Sequence, residues 1–185
     1  MKKTMIISIL LLLPIIGICQ NESTLICKTV DEFTDETSIS AVDNIIMYED
    51  GGDMKSEGMV AAAFLRVGDK SGKLEISTVY LKVLGIEGCV DKDSTLDIIF
   101  DNGEKTQLVN WNDFDCKGVN YFSLTNKENL FKSSGIKAIK YTNKRNYDTM
   151  IVKENIGDFS SYLKNILLEI DRINNGEVTI PLCKG

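Results

Sequence analysis

The sequence predicts an α+β fold, a predominantly antiparallel β-sheet with one long C-terminal amphipathic helix packed on it. Short strand-like segments bounded by turn residues fill most of the chain from residue 25 to residue 152, and an apolar helical repeat follows them. The chain has 185 residues and no Pro-rich or Ser/Gly-rich linker, so we expect one domain. A β-sandwich with a peripheral helix is the alternative architecture.

The N-terminal segment has the pattern of an export signal. Lys2 and Lys3 form a positive start, and residues 6–13 form an apolar run that is broken only by Ser8. The run is too short for a helix that spans a membrane. We therefore predict a signal peptide over residues 1–19 and a single exported β-rich domain over residues 20–185, with no transmembrane span. Loss of the two lysines changes the formal charge from −6 to −8.

Cys19 offers an alternative, because lipid-anchored proteins also carry a cysteine at the cleavage point. The residue before it is Ile18, whose branched side chain fits poorly where such processing needs a small residue. We therefore favour a periplasmic or secreted protein over one that is anchored through a lipid on Cys19.

Ten segments have strand character. Residues 59–67 also suit a helix because they contain three consecutive alanines, but Gly58 and Gly68 bracket them and favour a strand. Residues 74–84 are apolar on both faces in their second half, which predicts a central strand covered on both sides. The ten segments are residues 25–30, 38–48 with a break near Asp43, 59–67, 74–84, 96–100, 106–110, 119–124, 136–141, 147–152 and 177–182.

A β-hairpin is predicted around Asp101-Asn102-Gly103, which lies between two of these segments. A three-residue loop separates apolar from polar cross-strand pairs, whereas a two-residue loop sets an aspartate opposite a leucine. We therefore expect the three-residue loop, with Gly103 at positive φ, where a side chain would clash. The expected pairs are Phe100 with Glu104, Ile98 with Thr106, Leu96 with Leu108 and Asp97 with Gln107.

Two helices are predicted. Apolar residues recur at spacings of three and four from Ile156 to Ile173, which forms one stripe on a long helix, and Asn175-Gly176 follows as a stop signal. A shorter helix is expected to begin at Thr125, because Thr125 and Glu128 have the spacing of a capping box.

Four cysteines remain after Cys19, an even number that predicts a disulfide framework in an exported chain. Cys89 and Cys116 flank the hairpin and reach the same end of it, so we expect Cys89 to pair with Cys116. This leaves Cys27 and Cys183 to tie the two termini together. The absence of a C-x-x-C motif gives no support to thiol–disulfide catalysis.

The segment that begins at Trp111 is the candidate binding loop. It joins the single tryptophan to Asn112 and Asp113 beside a predicted disulfide. Trp111 could stack on a sugar ring while Asn112 and Asp113 accept hydrogen bonds from its hydroxyl groups. We nevertheless favour packing of Trp111 against the disulfide in the core, as in immunoglobulin-type domains.

Other acidic residues match no complete catalytic or metal-binding motif. Asp91, Asp93 and Thr95 have the spacing of haloacid-dehalogenase-type phosphotransferases, but that family needs a parallel sheet, whereas a hairpin follows here. Asp91, Asp93 and Asp97 also fail the EF-hand pattern, since Leu96 stands where glycine is needed. We interpret these residues as a solvated turn and expect no metal or cofactor.

Composition limits the class of function. The chain has 21 basic and 27 acidic residues, which argues against nucleic-acid binding, and its lack of histidine removes the commonest general base. We expect an exported, non-catalytic binding domain of unknown ligand, whose acidic surface favours a basic protein partner in the cell envelope or a cationic ligand. A small carboxylate-dependent hydrolase and a structural envelope component are the alternatives.

Overall fold

The computed structural model describes residues 21–42, 45–49, 58–70, 73–84, 89–145, 147 and 149–184. The predicted signal peptide and the predicted break near Asp43 lie outside these residues. In the part of the chain that is described, no helix is long and apolar enough to cross a membrane.

The described residues form twelve strands and two helices. In chain order they are β1 Asn21–Glu22, β2 Ile26–Val30, β3 Thr37–Ala41, β4 Ile45–Glu49, β5 Gly58–Lys70, β6 Lys73–Leu84, β7 Thr95–Phe100, β8 Lys105–Val109, β9 Asn120–Ser123, α1 Glu128–Ser133, β10 Ile136–Thr142, β11 Thr149–Glu154, α2 Ile156–Asn174 and β12 Val178–Thr179. The predicted α+β class is confirmed.

Ten of the strands form one antiparallel sheet rather than the two layers of a sandwich. Its order is β2-β3-β5-β4-β11-β10-β7-β8, while β5 also pairs with β6, which pairs with β9. An isolated bridge joins Asn110, just after β8, to Phe122 of β9. The sheet therefore curls until strands from its two ends meet. The short strands β1 and β12 form a separate parallel pair.

The β7–β8 hairpin has the predicted register. Leu96 faces Leu108, Asp97 faces Gln107, and Ile98 faces Thr106. The Phe100 N–H donates to the Glu104 carbonyl over 2.9 Å, and Gly103 has a φ of 86°. The sequence pattern is sufficient here because both the turn and the burial of one face favour the same pairing.

β6 lies between β5 and β9, as expected for a central strand, but its two faces differ. Val79, Leu81 and Val83 are buried, whereas Tyr80 and Lys82 are half-buried on the opposite face. The pairing with β5 shifts by one residue at Ser77, which forms a β-bulge and changes which positions face inward. The outer face of β6 is therefore free to carry a surface site.

Helix α2 packs on the sheet with the predicted apolar stripe. The stripe residues are buried in one core cluster with the inner face of the sheet. The helix begins after Asn155, which has a φ of 57°. The buried apolar residues of the stripe are Ile156, Phe159, Leu163, Ile166, Leu167, Ile170 and Ile173.

The predicted capping box of α1 is wrong. The helix begins at Glu128, and its N-cap position is Lys127, with no side-chain cap hydrogen bond. The Thr125 hydroxyl is instead within 2.7 Å of the Ser123 hydroxyl, and Asn126 adopts a φ of 64°. Bonding of Thr125 to the preceding strand and the left-handed residue after it delay the start of the helix.

Both predicted disulfides are present. Cys89 is bonded to Cys116, and Cys27 is bonded to Cys183 across a sequence separation of 156 residues. The second bond is supported by main-chain contacts, since the Lys28 N–H donates to the Pro181 carbonyl over 2.8 Å. The two disulfide-bonded pairs indicate an oxidising extracellular or periplasmic location.

Candidate functional site

Trp111 lies on the surface with 60% of its area exposed, so the favoured prediction of a core tryptophan is wrong. Asn110 takes the inward position, where it bridges Phe122 and is 3% exposed. Successive residues of an extended segment point to opposite faces, so Trp111 points outward. The backbone N–H of Trp111 donates to the Tyr121 carbonyl over 3.1 Å.

Three aromatic rings meet at this position, and we call Tyr80, Trp111 and Tyr121 the aromatic platform. The Trp111 ring centroid is 5.5 Å from that of Tyr80 and 6.3 Å from that of Tyr121, with interplanar angles of 39° and 53°. Lys82 is paired with Tyr121 across β6 and β9, and its Nζ lies 6.0 Å from the Tyr121 centroid. The platform is therefore a tilted three-ring surface with an ammonium group at its edge.

The platform lies on the face opposite the core. Neighbours of its tyrosines in β6 and β9, including Leu81 and Phe122, are buried. Packing of the core therefore does not explain why three large aromatic side chains meet outside it. A partly exposed aromatic cluster of this kind is typical of a binding surface, whereas single exposed apolar residues are common on any protein.

Two asparagine side chains hold the tryptophan loop, residues 110–119, against β9. The Tyr121 N–H donates to Oδ1 of Asn110 over 2.9 Å and to Oδ1 of Asn112 over 3.0 Å. Nδ2 of Asn110 donates to the Asp91 carbonyl, and Nδ2 of Asn112 donates to the Val119 carbonyl. Asn112, predicted to contact a ligand, therefore shapes the loop.

The far end of the tryptophan loop is fixed by the Cys89–Cys116 disulfide. Val90 and Asp115 exchange two backbone hydrogen bonds, of 2.8 and 3.1 Å. Nδ2 of Asn143 also donates to the Cys89 carbonyl over 3.1 Å. The loop is therefore held at both ends by a disulfide and by hydrogen bonds.

Asp113 and Phe114 extend the exposed surface beyond Trp111. Asp113 is exposed, and its carboxylate has no hydrogen-bond or ion-pair partner among the residues that the structure describes. Phe114 is half-exposed and lies beneath the Arg145 guanidinium, with 4.6 Å between the guanidinium carbon and the ring centroid. Of the three residues in the predicted binding loop, Trp111 and Asp113 are thus the two that face solvent.

Another exposed aromatic residue lies far along the chain from the tryptophan loop, in the turn between β2 and β3. Phe33 is 96% exposed, the largest fraction among the exposed large hydrophobic residues that the structure describes. An Asp31 carboxylate oxygen accepts hydrogen bonds from the N–H groups of Phe33 and Thr34, over 2.8 and 2.9 Å. These bonds hold the pKa of Asp31 below its ordinary value. Asp35 adopts a φ of 58° and completes the turn.

We call residues 31–36 the Phe33 turn. Four carboxylates, Asp31, Glu32, Asp35 and Glu36, flank the exposed ring in sequence. Phe33 was not among the candidate binding residues predicted from the sequence. The available signal was a lone aromatic residue inside an acidic run with no apolar neighbour to pair with.

Three neighbouring polar side chains are buried inside the protein. Asn120 and Ser94 are fully buried, and Tyr141 is almost so. Burial raises the pKa of the Tyr141 hydroxyl, which faces Ser94 and Asn120 without hydrogen-bond geometry to either. These groups belong to the interior of the curled sheet and do not contribute to the exposed surface.

The remaining acidic candidates do not converge. The Asp91 carboxylate accepts from the Lys92 N–H, and the Asp97 carboxylate accepts from the Gln107 amide over 2.7 Å. Among the described residues, no three histidine, cysteine, aspartate or glutamate side chains are grouped to hold a metal ion. Glu169, in a groove beside α2, is paired with Arg172 at 2.8 Å.

No protein-family model, no curated protein and no solved structure matches this chain. The Phe33 turn and the aromatic platform both place aromatic side chains at the surface of the described residues.

Proposed function

We propose that the protein is an exported, non-catalytic binding domain that docks a basic protein partner on the Phe33 turn. The observation that carries this proposal is a phenylalanine with 96% of its area exposed inside a run of four carboxylates. An apolar side chain rimmed by acidic groups suits a partner with an apolar pocket and a basic rim.

The two parts of the turn would contribute differently to binding. Insertion of an aromatic side chain into a pocket provides the buried anchor that dominates many interfaces. The surrounding carboxylates would steer a positively charged partner and raise the association rate, most strongly at low salt. Asp31 already holds the turn through the N–H groups of Phe33 and Thr34, so little ordering is needed on binding.

The expected export signal places this interaction in the periplasm or outside the cell. Both disulfides would be stable there, and the formal charge of the mature chain would be −8. A basic partner in the same compartment, such as an exported protein that the domain inhibits or retains, fits these properties.

The proposal is tested by affinity capture from exported proteins of the source cell. The purified protein is compared with Phe33→Ser and with Glu32→Lys/Glu36→Lys, since the side chains of Glu32 and Glu36 do not hold the turn. Tyr147→Ala is the matched control, because Tyr147 is also a largely exposed aromatic residue.

We expect the wild type and Tyr147→Ala to retain a basic protein in a salt-sensitive manner. Both Phe33-turn variants should lose it, with Phe33→Ser weakening the complex by about tenfold or more. Retention of the same proteins by all four forms would show that the turn is not the docking surface.

A further inference from the structure

The aromatic platform differs from the Phe33 turn in its chemistry. It brings several rings together, with the Lys82 ammonium 6.0 Å from one ring centroid and the exposed Asp113 two residues after Trp111 in the chain, whereas the turn presents one ring within an acidic run. The platform therefore suits another ligand, and binding of that ligand does not depend on a basic partner at the Phe33 turn.

The aromatic rings determine the first property of the ligand, which is an apolar face. Trp111 is 60% exposed, and Tyr80 and Tyr121 tilt toward it from β6 and β9. Such a surface binds a molecule with an apolar face of similar width, through dispersion and burial of apolar area. The hydrogen bonds of Asn110 and Asn112 keep this surface ordered before the ligand arrives.

The charges around the rings provide the second requirement. The Lys82 Nζ lies 6.0 Å from the Tyr121 centroid, so the electron-rich ring face already has a cation near it. A cationic ligand would meet the like charge of Lys82. The bases of a nucleic acid could stack on the rings, but the negative phosphate backbone would be repelled by a chain with a formal charge of −6.

The polar groups provide the third requirement. Lys82 can donate hydrogen bonds, and the exposed Asp113 carboxylate can accept them. A ligand with an apolar face and a rim of hydroxyl groups, each of which both donates and accepts, would satisfy both. A pyranose with equatorial hydroxyls has this form, since its C–H groups line the ring faces and its hydroxyls lie at the edge.

We propose that the aromatic platform binds an uncharged oligosaccharide of pyranose units whose hydroxyls are equatorial. Trp111 and Tyr80 stack on the C–H faces of the sugar, while Lys82 and Asp113 contact its hydroxyls. Asn112 acts through the loop and does not contact the sugar.

The test uses the intrinsic fluorescence of the full mature protein, because Trp111 is its single tryptophan. Cellohexaose and chitohexaose are titrated separately, with hexalysine peptide as the cationic comparison. We expect at least one sugar to produce a saturable change in Trp111 emission with a Kd below about 1 mM, and hexalysine to produce none. Isothermal titration calorimetry measures the affinity without fluorescence and is therefore used for variants that lack Trp111.

Variants then assign the binding to the platform. Trp111→Ala should weaken binding of the sugar by about tenfold or more, as for loss of one stacking ring, and Tyr80→Ala should weaken it less. Trp111→Phe should retain part of the affinity. Tyr147→Ala, which removes an exposed ring elsewhere, should bind like the wild type.

Three results would overturn the proposal. They are the absence of any saturable change with both sugars, a response to hexalysine but not to sugar, and unchanged affinity in Trp111→Ala. The first two are measured on the unmodified protein, so they hold even where a variant fails to fold.

Discussion

The Phe33 turn and the tryptophan loop both hold an aromatic side chain outside the core, but different ranges of contact stabilise them. The hydrogen bonds within the Phe33 turn join residues two to five positions apart. The tryptophan loop depends on a disulfide of sequence separation 27 and on amide bonds that reach β9 and Asp91. A change in the turn should therefore stay local, whereas a change in the loop should also affect the sheet.

Removal of the Cys89–Cys116 disulfide should have the largest effect. From loop-closure entropy, Cys89→Ser/Cys116→Ser should lower the free energy of unfolding by about 3.5 kcal/mol. Amides of the tryptophan loop should also lose protection from hydrogen exchange, because their long-range tie is gone. Denaturant unfolding and exchange measured by NMR check the two effects. Equal loss of protection at Phe33 and Thr34 would show that the two regions are not independent.

Truncation of a loop asparagine should have an intermediate effect, and the chain offers a matched pair. Asn110 is almost fully buried and Asn112 is half-buried, although both accept from the Tyr121 N–H. Asn110→Ala should cost about 2 kcal/mol of stability because it removes a buried amide that bonds both the Asp91 carbonyl and the Tyr121 N–H, and Asn112→Ala should cost about 1 kcal/mol because its amide is less buried. Thermal unfolding measures the difference, and iodide quenching reports any change in exposure of Trp111. A larger loss for Asn112→Ala would reverse the assigned roles.

Protonation of Asp31 should have the smallest and most local effect. Hydrogen bonds from two N–H groups lower its pKa in the folded state, so its contribution to stability is present above the ordinary value of 3.8 and is lost as pH falls through the folded pKa. NMR titration should give a midpoint below 3.8 for the Asp31 carboxyl, with the Phe33 amide shift following it. Asp31→Asn should remove this transition and leave Trp111 emission unchanged. A midpoint at or above the ordinary value would mean that the turn is open in solution.

The features that sequence analysis predicted correctly are those with local or repeated signals. The β7–β8 register follows from a turn motif and a two-residue alternation that agree, and α2 follows from an apolar stripe over five turns. The pairing of Cys89 with Cys116 follows from the same hairpin, because its strand ends bring the two cysteines together.

The features that it missed depend on distant parts of the chain. Trp111 faces outward because the sheet curls far enough for Asn110 to bridge Phe122, and nothing near Trp111 in sequence indicates this closure. The start of α1 is displaced by a hydrogen bond between the hydroxyls of Thr125 and Ser123, the last residue of β9. Tyr80 and Tyr121 join the platform through the pairing of β6 with β9, which the sequence pattern does not specify.

The Cys27–Cys183 bond has a consequence for self-association. The C-terminal segment lies along β2, where the Lys28 N–H donates to Pro181 and the Cys183 N–H donates to the Lys28 carbonyl. Bare strand edges are templates on which another copy of a chain can add a strand. Reduction of this bond would allow the C-terminal segment to separate from β2 and expose the edge of that strand. The cross-link therefore protects the edge of β2 from self-association for as long as it stays oxidised.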